Sequence, residues 1–117
     1  MVGSGSFSAL EGEEAYPGVR RQSFSSEEAT VSRYTFSPGA SFPLHRHDQE
    51  QITLVESGSI ELTVAGERRG MGAGDFSVVA KGAEHGITAG PEGARLVAII
   101  VPRRENAEEI EVSGGGP

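Results

Sequence analysis

Pro43-Leu44-His45-Arg46-His47-Asp48-Gln49-Glu50-Gln51-Ile52 is the stretch on which the reading of this chain turns. His45 and His47 stand two apart, and Glu50 and Gln51 follow at once. On an extended backbone successive side chains alternate, so the two imidazoles share a face and lie side by side, as a chelate requires. Neutral imidazole is a common metal ligand. The third histidine, His85, comes after Lys81-Gly82-Ala83-Glu84. An HxH pair alone identifies no site; its surroundings have to decide.

The segments on either side read as short strands punctuated by turns. Val31, Arg33 and Thr35 alternate with Ser32, Tyr34 and Phe36 until Ser37-Pro38-Gly39 ends the run. Gln51 to Val55 forms a second strand, closed by Ser57-Gly58. Ile60, Leu62 and Val64 alternate with Glu61 and Thr63, the pattern of a half-buried strand, and Ala65-Gly66-Glu67 turns it back. Gly72-Ala73-Gly74-Asp75 is a further turn, and Phe76 to Ala80 a further strand. Leu96 to Val101 is a continuous apolar run, the pattern of a strand buried on both faces. Asn106 to Val112 fits either a short helix or a frayed strand. Many short strands at regular spacing predict an antiparallel sandwich or barrel.

Composition agrees. With 117 residues the chain suits one domain. Its 17 glycines would weaken helices at roughly 1 kcal/mol each but suit turns and bulges. A net charge of −7 argues against nucleic acid and anionic membranes as partners. The absence of cysteine excludes disulfides, thiolate metal sites and cysteine nucleophiles. No apolar run approaches the ~20 residues of a membrane span. Met1-Val2-Gly3-Ser4-Gly5-Ser6 lacks the pattern of a secretory signal, so a cytoplasmic protein is expected. Residues 1–15 read as a loose arm, 16–112 as the domain, and 113–117 as a disordered tail.

The two histidine-bearing segments resemble the paired motifs of the cupins. Gly39-x5-His45-x-His47-x3-Gln51-x6-Gly58 is similar to the first motif, and Gly74-x5-Ala80-x-Gly82-x2-His85-x3-Ala89 to the second. Ala80 stands where the family usually has Pro, and Ala89 where it often has Asn. The resemblance implies an all-β double-stranded β-helix, the jelly-roll barrel, of about eight to ten strands. It also implies one divalent metal on His45, His47, Gln51 and His85. The family usually carries Glu at position 51; the H-x-H-x-x-E-Q run resembles a subgroup in which a glutamine oxygen is the ligand. Glu50 as ligand, with Gln51 merely packing, remains the alternative. Three imidazoles and an amide are neutral, so the metal would keep its full 2+ charge, which suits Lewis-acid work. Zn, Ni, Mn, Fe and Co all accept such donors.

Tyr16-Pro17-Gly18-Val19-Arg20, the run from Pro38 to Gly66, and Val101-Pro102-Arg103-Arg104-Glu105 resemble the small pectin-degradation cupins, which open unsaturated uronate sugars. In those proteins the last strand carries an inward Asp and, two residues later, an aromatic. Here Ala98 and Ile100 stand at those places, so a proton-shuttling carboxylate is missing. Arg104 matches the family Arg and would hold a substrate carboxylate, or else is a solvated charge. Tyr34 shares parity with Phe36, which favours core packing. Glu50 and Glu84 should face outward, Lys81 should be solvated, and Asp75 should form a turn.

Three functions follow. The first is Lewis-acid catalysis of an isomerase, lyase or cyclase type on a small oxygenated, sugar- or keto-acid-like molecule. The second is a non-catalytic, metal-dependent module that binds or senses a small molecule. The third is an Fe(II) dioxygenase. A homodimer is expected from the family and because antiparallel edges need covering.

Overall fold

Two long strands carry the architecture. The computed structural model describes residues 3–104 and 111–112. Nine strands occur among them, after a 3-10 turn at Phe7–Ala9. They are β1 (Glu13–Tyr16), β2 (Val19–Ser25), β3 (Thr30–Phe36), β4 (Ser41–Arg46), β5 (Glu50–Val64), β6 (Glu67–Gly72), β7 (Phe76–Val79), β8 (His85–Val101) and β9 (Glu111–Val112). β5 and β8 run antiparallel along their whole lengths, from Glu50 opposite Val101 to Val64 opposite His85. Every pairing in the fold is antiparallel. The first half of β5 and the second half of β8 join β3, β2, β1 and β7 in one layer. Their other halves join β4, β6 and β9 in a second. This is the cupin jelly roll, and its core lies between the two layers.

The turn expected at Ser57-Gly58 is a bulge, and the two strands expected on either side of it are one. The register of β5 slips between Val55 and Ser57 and again between Gly58 and Ile60. Gly58 has φ +74°, and a Cβ there would collide with the carbonyl of Gly93. The backbones of β5 and β8 approach there more closely than any side chain permits, so the strand bends without ending.

The run Leu96 to Val101 is not buried on both faces. Leu96, Ala98 and Ile100 point into the core at 2% exposure or less, whereas Val101 is 41% exposed and Val97 and Ile99 are half-buried. The outward residues belong to a second apolar surface. Register aligns Phe24, Val31, Ile99, Ile52 and Val78 in one row across five strands, and Val97, Leu54 and Phe76 in the next. Phe76 is 71% exposed and Val78 60%.

Part of the stretch read as a loose arm, 1–15, carries structure. Glu13–Tyr16 pairs with β2, and the Gln22 amide donates to the carbonyls of Phe7 (2.7 Å) and Leu10 (3.1 Å). Of the segment Asn106 to Val112, Glu111–Val112 is a strand paired with β4; 106–110 and the tail 113–117 lie outside the described residues. Asp75 does form a turn, its carboxylate accepting from the Gly72 N–H at 2.8 Å. No helix among the described residues is long and apolar enough to cross a membrane.

Candidate metal centre

His45 reaches the core through an irregularity in β4. Phe42 and His45 are three residues apart, so strict alternation would put them on opposite faces. The register between β4 and β8 shifts between these two residues, and both side chains become buried. Across this bulge Gly86 packs so closely that a Cβ would sit 3.1 Å from the Phe42 carbonyl oxygen. His45 then faces its register partner His85, the first residue of β8. His47 lies just beyond β4, and its carbonyl accepts from the Gly82 N–H at 2.8 Å. That bond ties the first histidine segment to the turn that presents His85. Gln51 is the second residue of β5 and points inward.

All four side chains are therefore together and buried, at 1–6% exposure. Ring centroids are 4.2 Å apart for His45–His85, 4.9 Å for His47–His85 and 5.5 Å for His45–His47. One nitrogen from each histidine lies within 4.8 Å of the other two. Glu50 is exposed, as the outward expectation for it requires, and takes no part. Glu84 is partly exposed and pairs with Arg46 at 3.5 Å. Lys81 is exposed.

The hydrogen bonds fix which ring nitrogens face inward. Each Nδ1 lies 2.9 Å from a backbone carbonyl, that of Pro43 for His45, Gln49 for His47 and Ala83 for His85. A carbonyl only accepts, so Nδ1 carries the proton and Nε2 of the neutral ring carries a lone pair. Burial, together with His85, pushes His45 down to about 3, and the Arg104 guanidinium adds to the depression. Burial also lowers His85. Both rings are neutral near pH 7.

Two of these lone pairs, those of His85 and His47, face no donor among the described residues. His85 Nε2 is buried with no hydrogen-bond partner among the described residues. His47 Nε2 lies 3.3 Å from Gln51 Oε1. The Gln51 amide donates from Nε2 to Thr53 Oγ1 at 3.0 Å, which turns Oε1 towards the histidines. Two acceptors at that distance repel in a dry interior unless a cation lies between them. Metal-binding histidines commonly give their outer N–H to a carbonyl, which fixes the tautomer and the ring orientation. The donor set therefore fits a divalent ion.

Other residues bear on the site. Thr53 and the carbonyls of Pro43, Gln49 and Ala83 orient the ligand atoms, and only the shared parity of Gln51 and Thr53 hinted at this in the sequence. Arg104 is half-buried, its charge acts on His45, and its backbone N–H donates to Thr30 Oγ1 at 2.9 Å. Ala98 is fully buried between its register partners Ser32 and Thr53, also fully buried. Tyr34 faces the core at 6% exposure, and Arg33 faces outward to Glu56.

A jelly roll with three converging histidines defines the class, and comparison with known proteins agrees with it. The cupin domain family matches residues 32–100, and this chain belongs to that family. It is 32% identical over 94 residues to the pectin degradation protein KdgF of Dickeya dadantii (strain 3937), covering 79% of this chain and 86% of that protein. The structure of KdgF from Halomonas sp. superposes with a TM-score of 0.78 at 26% identity, covering 87% of this chain and 97% of the other. An RmlC-like cupin from Shewanella frigidimarina NCIMB 400 gives 0.80 at 27% identity, over 86% and 91%.

Proposed function

We propose that the protein is a metal-dependent cupin that acts by Lewis-acid catalysis on a small oxygenated acid, in an isomerisation, ring opening, cyclisation or elimination. His45, His47 and His85, each through Nε2, and Gln51 through Oε1 would hold one divalent ion, whether Zn, Ni, Mn, Fe or Co. The observation that carries the reading is the 3.3 Å approach of His47 Nε2 and Gln51 Oε1, two acceptors held face to face. When bound, such an ion polarises a carbonyl, hydroxyl or enolate oxygen. The chain's own part is to keep the donors neutral and oriented and to exclude water. Arg104, whose charge acts on His45, would receive the anionic end of the substrate, and Thr30 would hold its backbone. The likeness to proteins named for pectin degradation supports a sugar-derived or keto acid as substrate.

Elemental analysis of untagged protein by ICP-MS tests this directly. Near-stoichiometric metal is expected, weakened in Gln51→Ala and lost in His85→Ala. A parent protein that takes up none of the five ions would end the proposal.

A second reading, a binding or sensing module, is favoured by the inner wall. No carboxylate is among the buried residues that the structure describes, and Ala98 stands where a proton shuttle would be needed. It predicts metal-dependent retention of a ligand that mass spectrometry recovers unchanged. In either case the apolar outer rows around Ile52, Leu54, Phe76 and Val78 support a homodimer packed through that face, since contiguous exposed patches of that kind are rare on monomers.

A further inference from the structure

The interior beside the histidines is almost filled. The cavity bounded by Tyr34, Phe36, Phe42, His45, Gln51 and Ile87 has a volume of about 10 Å³. That holds one water at most, against roughly 300 Å³ or more for an ordinary small-molecule pocket. All six lining residues are less than one-tenth exposed. A molecule larger than water therefore needs one of them to move, and the structure separates those that can from those that cannot.

Phe36 and Tyr34 sit on β3, which is paired on both sides by β2 and β8. The Tyr34 hydroxyl is further held by Arg21, which Glu13 grips at 2.7 and 2.9 Å. Ile87 is on β8 and is paired on both sides by Phe42 and Leu62. Phe42 differs. Among the described residues β4 is paired by β8 alone at this point, and β9 pairs with His45 and Arg46. The bulge that turns His45 inward follows directly. The ring is held by aromatic contacts, to Tyr16 at 4.7 Å, Tyr34 at 5.6 Å and His45 at 4.6 Å, and Tyr16 is itself half-buried at the barrel's edge.

We propose that Phe42 sets the size of the molecule that reaches His45 and Gln51, and that the class admitted is an oxyacid of about three carbons rather than a sugar ring. This rests on the reading of the histidines as a metal centre. Turning the Phe42 ring aside frees roughly 100 Å³, the liquid share of about three waters, which suits an acid the size of pyruvate. A six-carbon sugar acid needs at least twice that, and the other walls are fixed. Phe42 is thus a specificity-determining residue, one that excludes by occupying space.

Protein loaded with Co(II) provides a test independent of activity. Its visible spectrum is titrated with acetate, pyruvate and D-galacturonate, for the parent and for Phe42→Ala, with Phe42→Leu as the milder variant should the alanine form fail to fold. In the parent, pyruvate should perturb the spectrum at a concentration at least tenfold lower than galacturonate. The smaller side chain removes the ring that pyruvate has to displace and should lower the pyruvate concentration needed at least tenfold, whereas galacturonate, which needs twice the space freed, should change less than threefold. Equal response to both acids in the parent, an unchanged ratio in the variant, or no response to any acid would overturn the proposal. Stoichiometric Co(II) in any of those cases leaves the metal reading standing, so the two fail separately.

Discussion

Acid should destabilise the metal-free protein well before its carboxylates titrate. His45 is 5% exposed, and its folded-state pKa is pushed down to about 3 by burial and by His85, from 6.5. The unfolded chain binds a proton at this residue near pH 6.5, whereas the folded chain resists doing so. The stability involved is fully present above 6.5 and is lost progressively as pH falls towards 3. At pH 5 the gap is 1.5 units for the unfolded residue, which amounts to about 2 kcal/mol at 1.36 kcal/mol per unit. His85 is shifted in the same direction and adds to the slope. Against a typical 5–15 kcal/mol for a whole domain, that loss is large. Urea denaturation of EDTA-treated protein at pH 7.5, 6 and 5 would read it, as a drop in midpoint of roughly 1 M for m of about 2 kcal/mol/M. His45→Gln removes the titrating group and should flatten the dependence by close to one proton. A parent midpoint that does not fall between pH 7.5 and 5, or a variant with the parent's slope, would refute the claim that His45 is held neutral by burial.

Other perturbations follow from particular contacts. Leu96→Ala, at a site with no exposure, should cost about 2–5 kcal/mol, read as a lowered denaturation midpoint without loss of β circular dichroism. Gly58→Ala combines a positive φ with a Cβ driven into the Gly93 carbonyl, and should destabilise by more than the roughly 1 kcal/mol of an ordinary glycine replacement. Soluble parent-like yield and melting temperature would show that the β5–β8 bend tolerates a side chain. Val78→Lys, on an exposed edge-strand residue, should leave folding intact yet convert a dimer to monomer in sedimentation velocity at micromolar concentration. A parent already monomeric there would remove the dimer proposal. Thr53→Val deletes the acceptor that orients the Gln51 amide, and should weaken metal retention by about tenfold while the fold persists.

The outward apolar rows show where pattern alone misleads. Leu96 to Val101 is apolar at every position, and a strand buried on both faces is the simplest cause. In the structure only one face is covered, because the layer formed by β2, β3, β8, β5 and β7 has nothing behind it among the described residues except the Phe7 end, where Phe7 meets Phe24 at 5.7 Å. Strand pattern records which side chains are apolar, and it does not record what covers them. The bulge in β5 has the same origin. Ser57-Gly58 has the composition of a turn, and only the close approach of Gly93 makes it a bend within one strand.

What the sequence by itself determined is the local and periodic part: a glycine-rich all-β chain, strands where apolar residues alternate, and three histidines and a glutamine in the spacing of two cupin motifs. These depend on neighbours a few residues apart, and chain order records them. Tertiary structure alone decided the rest. A register shift turned both Phe42 and His45 inward, three carbonyls selected the Nδ1–H tautomers, and Thr53 aimed the Gln51 oxygen. The charge of Arg104 came within reach of His45 from 59 residues away, and Phe42 came to line the same cavity as His45. The register shift and the places of Arg104 and Phe42 depend on strands distant in the chain meeting at ångström range, which spacing along the chain does not record; the carbonyl and Thr53 contacts span only two residues each, but they need the backbone conformation that those pairings impose.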